Sequence, residues 1–198
     1  NFCKNKKVGT NGILVYLKGN LNMLNKADIE KYFIAEKHES LLFLILGLFA
    51  VLLSLIFYFG VKINIAKGAA IPLLLFGLIQ AFVGYTVYQR SDDQRINNVY
   101  AYDMNPVQLK TGELSRIRKV NRNFTRYRLI EAGGIIAGII LALVFYKNPD
   151  KQFWVGLGIA LALMSAELFV ADFIASKRAM RYMHLLENFS GKTESMHP

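Results

Sequence analysis

Four long apolar runs alternate along this chain with segments rich in charge. The runs occupy residues 41–60, 69–88, 129–146 and 153–176, and each contains 18 to 24 residues. An α-helix needs about 20 apolar residues to cross the hydrocarbon core of a bilayer. Because backbone polar groups in lipid must be paired within the segment itself, each run is predicted to be a membrane-spanning helix.

The composition argues against an ordinary soluble domain. Hydrophobic residues make up 54% of the 198 residues, and soluble domains are usually less apolar. The alternative is a soluble core of four buried helices, but a domain this small cannot cover four helices that are apolar on every face. The predicted fold class is therefore an all-α integral membrane protein, a four-transmembrane-helix bundle with cytoplasmic helical extensions.

The basic residues are distributed unevenly between the two ends of the predicted spans. Residues 1–40, 89–128 and 177–198 hold twenty of the 24 Lys and Arg residues, and the two short connections hold four. The positive-inside rule then predicts that both termini and the middle segment are cytoplasmic. This topology and attraction to anionic lipid headgroups explain the net charge of +10, so no nucleic-acid partner is predicted. We expect a multi-pass protein of a bacterial inner (plasma) membrane.

The first half of the chain is predicted to contain three units. Residues 1–24 are expected to be a poorly ordered N-terminal extension. Residues 25–40, which Asn25 can cap, are predicted to form an amphipathic interfacial helix along the membrane surface. A transmembrane hairpin, residues 41–88, follows them.

The second half is predicted to contain a long cytoplasmic segment, another transmembrane hairpin and a cytoplasmic tail. Residues 89–128 are too long for a plain loop and are expected to form a cytoplasmic helical hairpin that turns at "DMNP", residues 103–106. A second transmembrane hairpin, residues 129–176, comes next. Residues 177–198 are predicted to continue the last span as a cytoplasmic helical tail.

Four polar side chains interrupt the apolar runs, namely Glu167, Gln80, Asp172 and Glu131. At about 1.5 Å of rise per residue, Gln80 lies ~12 Å and Glu167 ~13 Å from the cytoplasmic ends of their runs. A carboxylate facing lipid there costs about 3 kcal/mol or more, so we expect a neutral Glu167 that hydrogen-bonds to Gln80 inside the bundle. Asp172 and Glu131 are shallow enough to reach basic side chains or headgroup water.

This polar layer has three interpretations. It can be a polar clamp that fixes helix pairing. It can also be a protonatable site for proton-coupled transport or an ion path, or a contact with a partner. The clamp is favoured, because only one acid lies deep and neither a base nor a second acid accompanies it.

Small residues recur at intervals of four in the third and fourth runs. They are Gly133, Gly134, Ala137, Gly138, Gly156 and Ala160. Small residues at this spacing let two helix backbones approach closely. We therefore predict that the third and fourth spans pack on each other through them. A seam between two copies of the chain, a possible homodimer, is the alternative.

Basic residues surround the helix predicted to lead into the third run, and aromatic residues lie nearby. The candidate docking residues are Arg116, Arg118, Lys119, Arg122, Arg126, Arg128, Tyr100 and Tyr102. They predict docking of anionic lipid headgroups or of an acidic protein partner. Anchoring by the positive-inside rule alone is the alternative. The hairpin is larger than topology requires, and this excess favours a protein partner.

The sequence contains no motif for catalysis, for a metal or for a cofactor. Cys3 is the only cysteine, so neither an intramolecular disulfide nor a cysteine-based metal site is expected. The acids and histidines form no Glu-x-x-His pair, and neither a nucleophile motif nor a phosphate-binding glycine loop occurs. We expect a chain that is not an enzyme and that binds neither metal nor cofactor.

Two functions from different classes are consistent with these patterns. The first is a small polytopic membrane protein that acts by protein–protein interaction, as an accessory subunit of a membrane complex or an immunity-type protein. The second is a small oligomeric ion channel or proton-linked transporter that uses Glu167. The two differ in the expected effect of replacing Glu167 by Gln, which abolishes flux only in the second.

Overall fold

The computed structural model describes residues 23–189 of the chain. The expectation of a poorly ordered extension falls almost entirely on residues 1–22, outside the described residues, as does the end of the predicted tail after residue 189. Within 23–189 the regular elements are helices and no strand is present. The all-α prediction is confirmed for this part of the chain.

Residues 23–189 form four long α-helices and one short one, with a turn of 3-10 helix, Pro149–Lys151, before the last of them. Their bounds are α1 Lys26–Leu55, α2 Asn64–Met104, α3 Pro106–Gln108, α4 Leu114–Phe145 and α5 Gln152–Glu187. A π-helical turn, Ile56–Gly60, extends α1, and a second one, Leu109–Glu113, joins α3 to α4. The predicted turn at 103–106 is confirmed, because α2 ends at Met104 and the Asn105 side chain accepts a hydrogen bond from the Gln108 backbone at 3.1 Å.

All four long helices are long and apolar enough to cross a membrane. Each of them also continues beyond its apolar run into a segment rich in charge. We call residues 41–88 and 129–176 the apolar half of the molecule, and the remaining described residues the charged half. The predicted number of apolar helices matches the structure, but each helix is longer than its apolar run.

The helices are not arranged as a closed square. α1 packs along α2, α2 packs along α5, and α5 packs along α4, whereas α1 and α4 hardly touch each other. The order across the bundle is therefore α1, α2, α5, α4. An open groove remains between the two outer helices, with α2 and α5 as its floor.

The charged half has a hydrophobic core of its own, to which α1, α4, α5 and the segments next to them contribute buried side chains and α2 contributes partly buried ones. Its buried members are Leu24, Ile29, Tyr32, Phe33, Leu109, Ile117, Ala179, Tyr182, Leu186 and Phe189. Ile117 and Leu186 are completely buried. The charged extensions of α2 and α4 are helical and are separated by the predicted turn, but they pack along α1 and α5 and not along each other. Some of their apolar side chains, such as Ile117, face this internal core.

The prediction of a separate interfacial helix over residues 25–40 is wrong. Residues 26–55 form one continuous helix, capped by a reciprocal pair of hydrogen bonds between Asn25 and Asp28. Its apolar face, which includes Ile29 and Phe33, is buried against the core of the charged half. The same face that predicts contact with lipid is thus satisfied by the chain itself, because α2 and α5 extend far enough to cover it.

Candidate functional site

Close contacts between small residues hold α1 against α2, and the sequence analysis missed them. A Cβ atom on Gly84 would lie 2.6 Å from the Leu44 nitrogen. One on Gly47 would lie 2.7 Å from the Gly77 carbonyl oxygen. Both distances are shorter than any ordinary contact. The heptad spacing of Gly77 and Gly84 was the signal that could have pointed to this seam.

Two of the four predicted small residues of α4 do pack against α5. Gly138 lies on Gly158 and Ala162, and Gly134 lies on the Ser165 side chain. The prediction is wrong for Gly133 and Ala137, which are exposed on the outside of the bundle. A Cβ on Gly133 would meet no atom within 4 Å. Adjacent residues of a helix point about 100° apart, so only one of the two interleaved pairs can face α5.

We predicted that the small residues of α5 pack against α4, but not all of them do. Gly156 packs against the backbone of Ile65 in α2. Ala160 is buried one helical turn further along on the same side. Gly68 of α2 makes the matching contact with Phe153. Gly156 therefore belongs to the contact between α2 and α5 and not to the predicted contact between α4 and α5. This is possible because α5 lies in the middle of the bundle and has two neighbours.

The predicted contact between Gln80 and Glu167 is present. The Gln80 Nε2 atom donates a hydrogen bond to Glu167 Oε1 at 2.7 Å. Gln80 is only 1% exposed, while Glu167 is half-buried and lines the groove between α1 and α4. This pair therefore joins α2 to α5 at the bottom of the groove.

The two shallower acids lie together. Asp172 on α5 and Glu131 on α4 are close enough for their carboxyl groups to interact, with Arg128 as a nearby cation. Contact with Arg128 was among the options expected for them. Glu131 is buried, and Asp172 lines the groove. Arg178 forms its ion pair with Glu39 on α1 instead.

The groove has a volume of about 530 Å³ and runs from the charged half into the apolar half. Its apolar walls include Leu42, Phe43, Leu46, Val83, Val87 and Val170. Its end in the charged half, which we call the mouth, carries Glu36, Glu39, Arg90, Asn123 and Arg178. The arrangement matches a small-molecule site, which is mostly apolar with a few convergent polar groups.

The interior of the charged half contains a buried ionic network beside the mouth. Arg116 donates two hydrogen bonds to the Glu113 carboxylate, at 2.8 and 2.7 Å, and its guanidinium lies over the Phe33 ring. Burial raises the pKa of the Glu36 carboxyl above its ordinary value, although neighbouring arginines oppose that shift. One carboxylate oxygen of Glu36, Oε2, is buried and has no hydrogen-bond partner among residues 23–189.

Several predicted docking residues have internal roles in the structure. Arg116 is not part of an exposed docking surface as predicted, because it is paired with Glu113 and only partly exposed. The same holds for Tyr102, because its hydroxyl donates to the Leu24 carbonyl at 3.2 Å and its ring packs on Phe189. Arg128 is half-buried and donates to a backbone carbonyl of its own helix.

The remaining predicted docking residues are on the surface. Arg118, Lys119, Arg122 and Arg126 are exposed along α4. Three of them, with Lys110, line a shallow basic cleft near the beginning of that helix. Tyr100 on α2 is 65% exposed.

Tyr100 belongs to an exposed apolar stripe on the charged half. The stripe consists of Ile96, Tyr100 and Met104 on α2, with Val107 just beyond the turn. Residues four apart lie on one face of a helix. All four side chains are more than half exposed. The stripe ends three residues before Lys110, where the basic cleft begins.

Neither a metal site nor a known relative identifies the function. Among residues 23–189, no group of three or more His, Cys, Asp and Glu side chains could hold a metal ion. No protein-family model, curated protein or solved structure matches this chain.

Proposed function

We propose that this chain is an integral membrane protein that acts by binding another protein on the cytoplasmic side. Its four apolar segments cross the inner membrane, and both termini and the charged half lie in the cytoplasm. The exposed stripe Ile96–Tyr100–Met104–Val107 is the observation that carries the proposal. The partner relationship is that of an accessory subunit of a membrane complex or an immunity-type protein.

The position of the stripe explains why lipid does not cover it. Ile96 lies ~12 Å and Met104 ~24 Å beyond the end of the second apolar run at Tyr88, at about 1.5 Å per residue. Both distances place the side chains below the bilayer, where they face water unless a protein covers them. A contiguous apolar patch that is rimmed by polar residues is typical of a protein interaction site.

The surroundings of the stripe indicate the chemistry of the partner. The basic cleft formed by Lys110, Arg118, Lys119 and Arg122 begins where the stripe ends. A partner that covers both surfaces presents an apolar helix face flanked by acidic side chains. The apolar contact contributes most of the affinity, and the charges contribute orientation and association rate.

A matched pair of substitutions tests this proposal. Ile96→Lys places a charge in the stripe, while Ile34→Lys makes the same change at an exposed position of α1 in the charged half. The tagged variants are extracted gently, and the proteins that accompany them are identified by native mass spectrometry. We expect a stoichiometric partner to accompany wild type and Ile34→Lys and to be lost from Ile96→Lys. Recovery of a homo-oligomer without another protein, or equal recovery with both variants, would refute the proposal.

The lone cysteine makes the proposed topology easy to test. After Cys3→Ser, a single cysteine is placed at Lys62, in the connection between α1 and α2, or at Lys119 on α4. A membrane-impermeant maleimide added to intact spheroplasts should label the Lys62→Cys variant. It should label the Lys119→Cys variant only after the membrane is permeabilised. The reverse pattern contradicts the proposed orientation.

Transport through Glu167 is the second candidate function, and the location of this acid favours it. Glu167 lies in the wall of an open groove within the apolar half. In liposomes, proton-linked flux requires that Glu167→Gln abolishes flux while the protein remains folded. Equal flux by wild type and Glu167→Gln excludes the proton site. The hydrogen bond to Gln80 can persist in this variant, because Gln also supplies an acceptor oxygen.

A further inference from the structure

The groove between α1 and α4 differs in charge from the rest of the molecule. Four carboxylates line it, those of Glu36, Glu39, Glu167 and Asp172, against the two guanidinium groups of Arg90 and Arg178. The whole chain has the opposite balance, a net charge of +10. Because the Arg178 guanidinium is already paired with Glu39, three acids and one arginine remain to face an occupant.

Two of these acids lack a full set of partners within the part of the chain that the structure describes. Glu36 is 9% exposed, lines the mouth, and has one carboxylate oxygen buried with no donor. Glu167 accepts a hydrogen bond from Gln80 and forms no ion pair with a described residue. Arg116, Arg90 and Arg178 lie near Glu36, so it is Glu167 whose charge has no cationic neighbour in an ion pair with it. A carboxylate in such apolar surroundings is unfavourable unless an opposite charge nearby offsets the cost.

The walls of the groove suit an apolar cation. Leu46 and Val83 line it within the apolar half, as Glu167 does. The aromatic rings of Phe43, Phe124 and Tyr127 also line it. Aromatic faces attract cations, and apolar side chains accept a hydrophobic body. A cavity of about 530 Å³ is within the size range of small-molecule sites.

We infer that this groove binds a lipophilic cation, which enters between α1 and α4 and places its charged centre beside Glu167. An anionic amphiphile does not suit the site, because it would bring a like charge toward three carboxylates. The inference is independent of the proposed protein partner, because the groove and the exposed stripe share no residue.

Two ions of nearly the same size and opposite charge provide the first test. Tetraphenylphosphonium and tetraphenylborate are each equilibrated by dialysis against the purified full-length protein in dodecyl maltoside, with protein-free micelles as the blank. We expect saturable binding of one tetraphenylphosphonium per chain and no saturable binding of tetraphenylborate. Equal binding of both ions would show that the groove responds to apolar character alone and would overturn the inference, as would the absence of saturable cation binding.

Two substitutions test whether Glu167 carries the specificity. Glu167→Gln replaces the ionisable carboxyl by a neutral amide and can keep the hydrogen bond to Gln80, and it should weaken tetraphenylphosphonium binding by at least about tenfold. Glu30→Gln removes one charge from an exposed position of α1 outside the groove and should leave binding unchanged. If Glu167→Gln aggregates on size-exclusion chromatography, Glu36→Gln replaces it, with the same expected direction. Wild-type affinity in the folded variant that is measured overturns the inference.

The same preparation separates this inference from the proposed function. The Ile96→Lys variant should bind tetraphenylphosphonium like wild type, because Ile96 does not line the groove. Loss of cation binding in Glu167→Gln together with retention of the protein partner supports two independent sites. Loss of cation binding in Ile96→Lys would contradict that independence.

Discussion

The contact between α4 and α5 yields a prediction from two glycines of α4 that lie five residues apart. Gly138 faces α5, and Gly133 faces away from the bundle. Replacing each by Ala adds one methyl group to the same helix. We expect Gly138→Ala to destabilise the protein and Gly133→Ala to leave its stability unchanged or slightly higher.

The expected magnitude follows from the distances at Gly138. A Cβ atom there would lie 2.6 Å from the Ala162 nitrogen and 2.6 Å from the Gly158 carbonyl oxygen. Ordinary contacts lie near 3.5–4.0 Å, so the helices must separate by roughly 1 Å. Overpacking of this kind costs about 1–3 kcal/mol, and the higher helix propensity of Ala offsets up to about 1 kcal/mol of it. The net loss in free energy of unfolding is on the order of 1–2 kcal/mol.

The detergent-purified protein is heated to a series of temperatures, and size-exclusion chromatography then measures the fraction that remains folded. The resulting Tm reports this loss. For a chain of this length each 1 kcal/mol corresponds to about 2–4 °C in Tm. Gly138→Ala should therefore unfold a few degrees below wild type, and Gly133→Ala should not. An equal decrease for both variants would refute the assignment of the packed face. A decrease confined to Gly133→Ala would instead favour a seam between two copies of the chain.

Three further predictions concern polar groups. Glu167→Leu leaves the buried Gln80 Nε2 without its acceptor and should lower the free energy of unfolding by about 1–3 kcal/mol. Glu167→Gln should unfold near the wild-type Tm. Equal Tm values for the Leu and Gln variants would contradict the role of this pair as a polar clamp. Glu113→Ala removes both hydrogen bonds from the partly buried Arg116 and should cost about 2 kcal/mol in a denaturant titration, and an unchanged midpoint would refute this. Burial raises the pKa of Glu36 above its ordinary value of 4.5, so the folded state holds this proton more tightly and stability should fall as pH rises above that value. Glu36→Gln should accordingly gain stability over wild type at pH 8 but not at pH 4, and a difference independent of pH would exclude the titration.

The pH prediction rests on the charged groups around Glu36. Arg116, Arg90 and Arg178 favour its ionised form, and Glu113 opposes it. Desolvation nevertheless has the largest influence on the pKa of Glu36, because this side chain of α1 is buried in the charged half.

Local pattern predicted much of the fold correctly. The length of an apolar run reports how long a helix can remain in lipid, and this identified four helices and their approximate ends at the two short connections, while their other ends lie beyond the apolar runs. The turn before Pro106 followed from the backbone preferences of Asn and Pro. The contact between Gln80 and Glu167 was also accessible, since the rise per residue of a helix converts sequence position into depth.

The rotation of the helices and their order across the bundle were decided only by the tertiary structure. In the apolar half, the exposed faces of the helices are as apolar as the buried ones, so hydrophobic pattern does not mark the buried face. Gly133 and Gly134 are therefore equivalent in sequence, although only Gly134 contacts α5. In the charged half, an apolar helix face indicates that something covers it. The pattern does not show whether a membrane surface or another helix of the chain does so. That is why the face of α1 near Ile29 predicted a membrane surface and is instead buried by the chain's own helices.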